Sequence, residues 1–482
     1  MSKAKLALAV LATVMLTTGC VPALVKTRAM EPDTQTPDRF PGQSASAAPA
    51  PDANLGMRNW SDVFTSAPLR KLIDEALAKN QELNLQIQEL IIAQNEVAAR
   101  RGEYLPKVRA GAGAGVDRVG VHTARGTSDE SLGLPRDMGD FGFGLIGSWE
   151  VDIWGKLRNE AQAADFRYQA GVEGRNFIVT QIVAEIARSY YDLLALDSKL
   201  EVLNRNIDIQ SRALEMVRIE KQAARVTELA VQRFEAEVAK NKSVRFDLEQ
   251  ERTQVENRIN FLLGRYPQPI ARQVQELKAP VPASIRAGVP SQLLENRPDV
   301  RQAERELEAA KLDVSAARAK FFPALSIDAK LGFNAFNPAH LLNPESIIYG
   351  LAGNLTAPVL NRAAIEAEYG SANARQLQAV IRYERTLLQA FVDVANQVSN
   401  LQNMKQGYEA RSQQVGKLSK SVEMSTLLFR AARADYVEVL LTRRDLLEAE
   451  MELIERRKLL QQSVVNLYQA LGGGWRTSPK PN

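Results

Sequence analysis

The sequence predicts a mainly α-helical chain made of two similar halves, each with a β-hairpin and a long antiparallel helical hairpin. The sequence of Ala223-Ala224-Arg225 recurs 208 residues later as Ala431-Ala432-Arg433. Long stretches lack helix-breaking residues, and the segments between them alternate apolar with small or polar residues. The repeat exceeds the roughly 20–50 residues of solenoid units, so we interpret it as a duplicated half-molecule.

The first 19 residues have the features of a signal peptide. Lys3 and Lys5 precede a short apolar run that ends in small residues before Cys20. The run is shorter than the roughly 20 apolar residues of a membrane-spanning helix. Cys20, the only cysteine, stands where a bacterial lipobox has its lipidated residue, which predicts an outer-membrane lipoprotein. The alternative is a plain secreted protein cut nearby. Residues 20–59, rich in proline and alanine, are expected to form a lipid-anchored extension.

The composition argues against several functional classes. The chain has 61 basic and 57 acidic residues, so its net charge of +4 does not suggest a nucleic-acid-binding protein. The sequence has no clustered nucleophile and base and no glycine-rich phosphate loop, and we expect neither an enzyme nor a bound cofactor. The two histidines, His122 and His340, lie in predicted loops, whereas a metal site needs several convergent ligands. We therefore expect no metal site.

Stretches without helix breakers predict very long helices. Residues 175–263 contain neither glycine nor proline, and residues 359–478 contain no proline. A helix over residues 156–222 would be on the order of 100 Å long, whereas ordinary helices average about 11–12 residues. Rods of this kind pack side by side as in coiled coils.

Four segments between the helices alternate with a period of two and predict strands. They cover Val108–Asp117, Phe141–Trp149, Leu325–Asn334 and, less regularly, Ser346–Thr356. Segments of about 10 residues with one apolar side are typical of outer-membrane strands. Because the smallest closed barrels have about eight strands, four strands cannot close alone. Identical subunits must therefore share a barrel, with eight strands from a dimer or twelve from a trimer.

Motifs at the helix–strand boundaries carry a family resemblance. WEVDIWGK covers Trp149–Lys156 and NRPDVRQAE covers Asn296–Glu304. Proline motifs at Tyr104-Leu105-Pro106, Phe322-Pro323 and Ala357–Leu360 mark further boundaries. Through these motifs, spread over almost the whole mature chain, the sequence resembles the outer membrane factor family. These are the TolC-like efflux ducts, and the resemblance is to their NodT-type lipoprotein branch.

The resemblance implies a homotrimer in the outer membrane. Its long antiparallel helical hairpins would form an α-barrel through the periplasm, continuous with a transmembrane twelve-stranded β-barrel. Such a duct passively exports compounds together with a periplasmic adaptor (membrane fusion) protein and an inner-membrane efflux pump. Because histidine and cysteine are scarce, we expect drugs or other toxic organic compounds as cargo. The alternatives are a metal-cation or oligosaccharide duct and, from another class, a lipid-tethered periplasmic coiled-coil scaffold.

The two repeats divide the mature chain into matching parts. We expect the first repeat at 60–265, with its strand hairpin at 107–151 and its helical tip near 222–228. The second repeat is expected at 290–472, with its strand hairpin at 324–358 and its tip near 430–437. An equatorial linker (266–289) and a carboxy-terminal tail (473–482) complete the chain.

The resemblance assigns adaptor docking and gating to the two tips. The family commonly has glycine, which allows a left-handed turn, where Ala224 and Ala432 stand. An acid often lies five residues after the tip tyrosine, but that position counted from Tyr436 is Leu441, so an acidic gate is not supported there. The docking candidates are Ala224, Arg225, Val226, Thr227, Ala432, Arg433 and Ala434. The gate candidates are Val437 and Leu441 as an apolar collar, Asp435 and Glu438 as charges, and Arg444.

Two tryptophans of the WEVDIWGK motif have two possible roles. Trp149 and Trp154 flank Asp152 where a strand is predicted to become a helix. They are either interfacial anchors at the level of the lipid headgroups or ordinary packing residues at the junction.

Overall fold

The computed structural model describes residues 21–24, 30–41, 54–280, 287–360, 362–431 and 433–476. Cys20 and Ala432, two of the predicted site residues, lie outside these ranges. The described chain is mainly helical and carries one four-stranded sheet. This confirms the predicted fold class.

Long helices dominate the described chain, and their lengths match between the two halves. A helix of 67 residues is followed by one of 35 residues in the first half, and a helix of 68 residues by one of 35 in the second. The helices are α1 (Trp60–Val63), α2 (Ala67–Lys79), α3 (Gln81–Glu103), α4 (Ala124–Ser131), α5 (Lys156–Gln222), α6 (Glu228–Leu262), α7 (Gln292–Asn296), α8 (Pro298–Ala319), α9 (Ala363–Arg430) and α10 (Tyr436–Ala470).

The sheet is antiparallel throughout and runs in chain order. Its strands are β1 (Lys107–Arg118), β2 (Asp137–Val151), β3 (Ala324–Ala335) and β4 (Ile347–Thr356), so β1 and β4 form the two edges. The connection between β1 and β2, expected to be a loop, contains α4. The hydroxyl of Thr123 caps this short helix by accepting a hydrogen bond from the amide of Gly126 at 3.1 Å.

The register separates the strand residues into two chemically different faces. Since successive side chains point to opposite sides, the pairs Ala110↔Leu145, Leu145↔Leu331 and Leu331↔Tyr349 define one face. We call it the apolar face, because its central residues are all uncharged: Val108, Ala110, Ala112, Ala114, Val116, Phe141, Phe143, Leu145, Ile327, Ala329, Leu331, Phe333, Ile347, Tyr349 and Leu351. The opposite face, the polar face, carries Arg109, Asp117, Asp140, Asp328 and Lys330 among glycines.

The sheet lies within the first compact unit, to which residues 90–170 and 304–382 belong. Helices α8 and α9 pack at the base of β3, where Phe321 and Tyr369 meet edge to face with ring centroids 5.6 Å apart. Val21 and Leu24 from the amino-terminal extension pack against the same cluster. This segment of the extension is therefore docked on the protein.

The second compact unit contains residues 33–89, 171–303 and 383–482. Its core joins α2, α5, α6 and α10 through fully buried side chains that include Ile73, Tyr190, Ile259 and Tyr468. Asn80 separates α2 from α3: its side chain accepts from the Leu83 amide at 3.0 Å, which caps α3, and donates to the carbonyl of Leu262 at 2.8 Å. The core fixes these helix ends side by side.

Two glycines show the duplication in backbone detail. Gly264 and Gly472, 208 residues apart, have positive φ of 64° and 79° and end α6 and α10. The following amide donates to a carbonyl five residues back in both cases, Arg265 to Asn260 and Gly473 to Tyr468. A Cβ on either glycine would lie within 2.6 Å of a backbone oxygen. Both positions therefore require glycine.

Candidate docking and gating site at the hairpin tips

The first tip, between α5 and α6, is closed by a helix-capping turn. The amide of Arg225 donates to the carbonyl of Glu220 at 2.9 Å, and the amide of Ala224 donates to Lys221 at 2.9 Å. This pattern places Ala224 in the left-handed region with φ of +53°, alone among the described non-glycine residues. The turn that glycine usually provides is thus formed by alanine at a steric cost.

The second tip, between α9 and α10, has the same closing bond. The amide of Arg433 donates to the carbonyl of Leu428 at 2.8 Å, 208 residues after the pair in the first tip. Asp435 then caps α10, because its carboxylate accepts from the amide of Val437 at 3.4 Å. The two tips therefore share this closing hydrogen bond.

The predicted docking residues lie in these two turns, and most are exposed. Ala224, Arg225, Thr227 and Arg433 are exposed, and Ala434 is half-buried. Val226 differs, because it packs against the buried cluster inside the first hairpin. Ion pairs flank the first turn, with Lys221 bound to Glu228 and Arg218 bound to Glu235 at 2.6 Å.

The predicted gate residues have different environments along the first turns of α10. Glu438 is exposed and Leu441 keeps 42% of its surface, whereas Val437 is half-buried. Arg444 lies 3.4 Å from the carboxylate of Asp445, and within the described part of the chain its buried Nε has no hydrogen-bond partner. Asp435, which caps α10, is exposed at the tip.

The interiors of the two tips differ, which the sequence analysis missed. Leu214, Val217 and Phe234 fill the first hairpin, and Tyr436 and Leu440 of α10 pack against this cluster. In the second hairpin, the equivalents of Val217 and Phe234 are Ser425 and Thr442, whose hydroxyl oxygens lie 2.9 Å apart. The 208-residue repeat already contained this signal, since it aligns these two pairs. A hydrogen bond thus replaces an apolar contact in the second hairpin.

Ionisable groups of α10 are half-buried near the second tip. Burial lowers the pKa of the Arg443 guanidinium, because removal from water destabilises its charged form. Burial also raises the pKa of the Glu450 carboxyl, against the opposing attraction of Arg205. Farther along α10, burial would raise the pKa of Glu455, but hydrogen bonds from Lys199 and Lys458 outweigh it and the pKa is lowered.

The WEVDIWGK motif forms the junction between β2 and α5. The indoles of Trp149 and Trp154 donate to the carbonyls of Tyr104 and Pro323 at 3.0 and 2.8 Å. Trp154 also stacks on Phe322 with ring centroids 4.7 Å apart. Asp152 accepts from the amide of Arg158 at 3.0 Å at the start of α5. The packing role of both tryptophans is therefore present in the structure.

The NRPDVRQAE motif anchors the second repeat. The buried Arg297 guanidinium binds Asp299 at 2.6 Å and Asp393 at 3.2 Å. It also donates to the carbonyl of Ala470, at the end of α10, at 3.0 Å. The next arginine, Arg301, binds Glu173 at 2.5 Å. The two arginines of the motif thus link neighbouring helices through ion pairs and hydrogen bonds.

In the described ranges, no three histidine, cysteine, aspartate or glutamate side chains are grouped as a metal site would require. None of the described helices combines the length and apolar character needed to cross a membrane.

The sequence model of the outer membrane efflux protein family matches residues 72–265 and 289–473. The pyoverdine export outer membrane protein OpmQ of Pseudomonas aeruginosa is 28% identical over 87% of this chain and 88% of its own length. The cation efflux system protein CusC of Escherichia coli is 25% identical over 88% of this chain and 90% of its own. Among solved structures, the open state of the Neisseria gonorrhoeae MtrE outer membrane channel covers 94% of this chain and 99% of its own, with a TM-score of 0.81 at 23% identity.

Proposed function

The chain belongs to the outer membrane efflux protein family, and we propose that three copies of it form the exit duct of a tripartite efflux pump. The observation that carries this proposal is the family match over both repeats, residues 72–265 and 289–473. The duct conducts compounds from the periplasm to the exterior. Members of this family are channels, and we assign no catalytic residue to the chain.

The open sheet edges support assembly from several copies. Each chain supplies four strands, with β1 and β4 at the edges. In lipid, every backbone polar group needs a partner, so a spanning sheet must close on itself. Three copies supply twelve strands, the number that the resemblance implies. In this arrangement β1 of one copy pairs with β4 of the next.

The two faces of the sheet support a defined orientation in the membrane. The apolar face, with Phe143, Leu331 and Tyr349, is uncharged over its central rows and suits the acyl chains of lipid. The polar face, with its charges and glycines, suits a water-filled lumen. A soluble sheet of this size would bury its apolar face against other elements, yet Leu331 and Tyr349 remain exposed.

Exposed apolar side chains on the helices also support an assembly. Large hydrophobic residues lie exposed on helices that contribute to both halves of the molecule. They include Leu85 and Ile92 on α3, Phe246 and Phe261 on α6, and Ile381 and Leu388 on α9. We infer that neighbouring copies cover these surfaces, as obligate interfaces do. The long hairpins of three copies then form the periplasmic tunnel.

The energy for export comes from the partners of the duct. We propose that an inner-membrane pump drives transport and that a periplasmic adaptor docks on the tips through Arg225, Thr227, Arg433 and Ala434. Val437, Leu441 and Glu438 then line the closing end of the tunnel. Three identical residues around a narrow axis affect the passage of compounds through the tunnel more strongly than one side chain on an outer surface does.

We also propose that Cys20 is acylated and anchors the extension to the outer membrane. The docking of Val21 and Leu24 beside Phe321 supports an anchor close to the start of β3. Several acyl chains on one residue would bind the membrane stably, whereas a single chain binds marginally.

For cargo we propose drugs and other toxic organic compounds. The chain has one cysteine and two histidines, and its nine methionines are scattered along the sequence, so it offers few grouped ligands for a metal relay. Metal-cation export is the second candidate, because the similar protein CusC is part of a cation efflux system. Comparing organic toxicants with copper and silver salts in a strain that lacks the gene distinguishes the two.

Charge reversal at the tips tests the proposed function. In the deletion strain, the wild-type chain should restore resistance, and Arg225→Glu combined with Arg433→Glu should restore it several-fold less. Arg212→Glu, on the exposed surface of α5 about three helical turns from the first tip, is the matched control and should behave as the wild type. Full resistance with the double variant, at equal protein levels, would contradict docking at the tips. No rescue by the wild-type chain, for any toxicant, would contradict the duct itself.

A further inference from the structure

Two basic residues stand in one row across the polar face of the sheet. The register pairs Arg109 with Ile146, Ile146 with Lys330, and Lys330 with Gly350. Both basic side chains are exposed and lie on β1 and β3, which are about 10 Å apart across β2. The described residues give neither of them an ion-pair partner.

The next row of the polar face, toward the loops that connect β1 to β2 and β3 to β4, leaves the side chains of Arg109 and Lys330 unobstructed. It consists of Gly111, Gly144 and Gly332, followed by Ile348. The register of β2 with β3 brings Gly144 and Gly332 so close that a Cβ on either would lie 2.5 Å or less from a backbone oxygen. The long side chains of Arg109 and Lys330 therefore border a surface made of backbone.

The acids of the polar face do not neutralise this row. Asp140 lies six residues along β2 from Ile146, about 20 Å away, which exceeds the Debye length of about 8 Å at physiological salt. Asp328 lies one row toward the helices, in the same row as Lys107, and accepts a hydrogen bond from Asn354 at 2.8 Å. Glu150 is paired with Lys156 at 2.5 Å. The three basic residues Lys107, Arg109 and Lys330 against one acid, Asp328, therefore leave these two adjacent rows with a net charge of two positive per chain.

We propose that Arg109 and Lys330 of three copies form a belt of six positive charges in the lumen that favours the passage of organic anions. This inference rests on the proposed trimeric duct and names the substrate class for which its lumen is adapted. Fixed charges of one sign on a confined aqueous pathway raise the local concentration of ions of the opposite sign. Carboxylated or phosphorylated compounds are the chemical class that gains from such a belt.

Ion selectivity in planar bilayers tests the belt. The wild-type trimer in a potassium chloride gradient should give a reversal potential that favours chloride. Arg109→Gln combined with Lys330→Gln should lower the chloride-to-potassium permeability ratio at least about twofold, and the corresponding double glutamate variant should favour potassium. Arg118→Gln is the matched control: it removes one positive charge from β1, but on the other side of the sheet, where Arg118 pairs with Asp137 at 3.5 Å. It should leave the ratio unchanged.

The possible results distinguish a failure of the proposed charge belt from a failure of the proposed duct. Equal permeability ratios for the wild type and both double variants would overturn the belt while leaving the duct intact. An equal fall in the ratio with Arg118→Gln would also overturn it, because a general charge effect would then explain the result. Wild-type protein that assembles no trimer, or whose trimers carry no ion current, would contradict the proposed duct instead.

Discussion

The hydroxyls of Ser425 and Thr442 lie 2.9 Å apart inside the second helical hairpin, where the first hairpin has Val217 against Phe234. The duplication thus kept the closing backbone hydrogen bond of the tip and changed its interior. Thr442 also donates to the carbonyl of Glu438 at 2.8 Å, so its hydroxyl has a local partner as well. Burial of an apolar contact stabilises the fold, whereas a neutral hydrogen bond contributes only about 1 kcal/mol net to stability.

Substitutions in the two interiors should change the free energy of unfolding by different amounts. Replacing both partners, as Ser425→Val with Thr442→Val, should change the free energy of unfolding by less than about 1 kcal/mol. In the first hairpin, Phe234→Thr should cost about 3 kcal/mol, because it leaves a cavity and buries a hydroxyl. Thermal denaturation of the detergent-extracted protein followed by circular dichroism measures both. Equal losses of melting temperature would contradict the difference between the two interiors.

Ala224 should tolerate glycine better than a normal helical alanine does. Its φ of +53° costs an alanine about 1 kcal/mol, and glycine avoids that cost. We expect Ala224→Gly to raise stability by up to about 1 kcal/mol. Ala236→Gly, at an exposed position inside α6, is the control and should lower stability by a similar amount. A loss of stability with Ala224→Gly would show that the left-handed turn is not strained.

Arg297 should not be replaceable by lysine. Its planar group contacts Asp299, Asp393 and the carbonyl of Ala470 together, and a lysine ammonium cannot reproduce that fork. We expect Arg297→Lys to destabilise the chain by about 2–4 kcal/mol, because buried partners lose their hydrogen bonds. The amount of folded protein in outer membranes and its melting temperature measure the effect. Arg305→Lys, partly exposed on α8, the helix that follows Arg297, should change neither.

Acid should weaken the contacts of Glu455. Its pKa is lowered in the folded chain, because hydrogen bonds from Lys199 and Lys458 outweigh the opposing effect of burial. A lowered carboxyl pKa contributes stability above the ordinary value of 4.5, and that contribution is lost as the pH falls through the folded pKa. The melting temperatures of wild type and Glu455→Gln should therefore differ at pH 7 and converge as the pH falls from 4.5 through the pKa of the folded state. The exposed Glu448→Gln control should differ little at either pH, and a Glu455→Gln difference that persists in acid would contradict this assignment.

Much of the fold could be predicted because its signals are periodic. Residues 175–263, which lack glycine and proline, predicted long helices, and the structure has α5 over Lys156–Gln222 and α6 over Glu228–Leu262. Period-two segments predicted the four strands, since a strand with one apolar face alternates strictly. The short helix α4 was not predicted, because its six polar residues, one alanine and one glycine give no periodic signal, and a single cap at Thr123 starts it.

The candidate site was less predictable, because it depends on individual contacts. The sequence located both tips, but it could not show that Asp435 caps α10 or that Val226 is packed inside the hairpin. Hydrogen-bond partners such as the carbonyls bound by Trp149 and Trp154 have no sequence period. For that reason the sequence left the roles of both tryptophans open. Comparison of the aligned repeats, by contrast, would have revealed Ser425 and Thr442.

The native mass of the intact protein, extracted from outer membranes and measured by mass spectrometry in detergent, tests the assembly most directly. A chain whose β1 and β4 edges can be satisfied in lipid only by other copies should give particles of three mature chains. Particles of a single chain, still folded and still membrane-embedded, would contradict it.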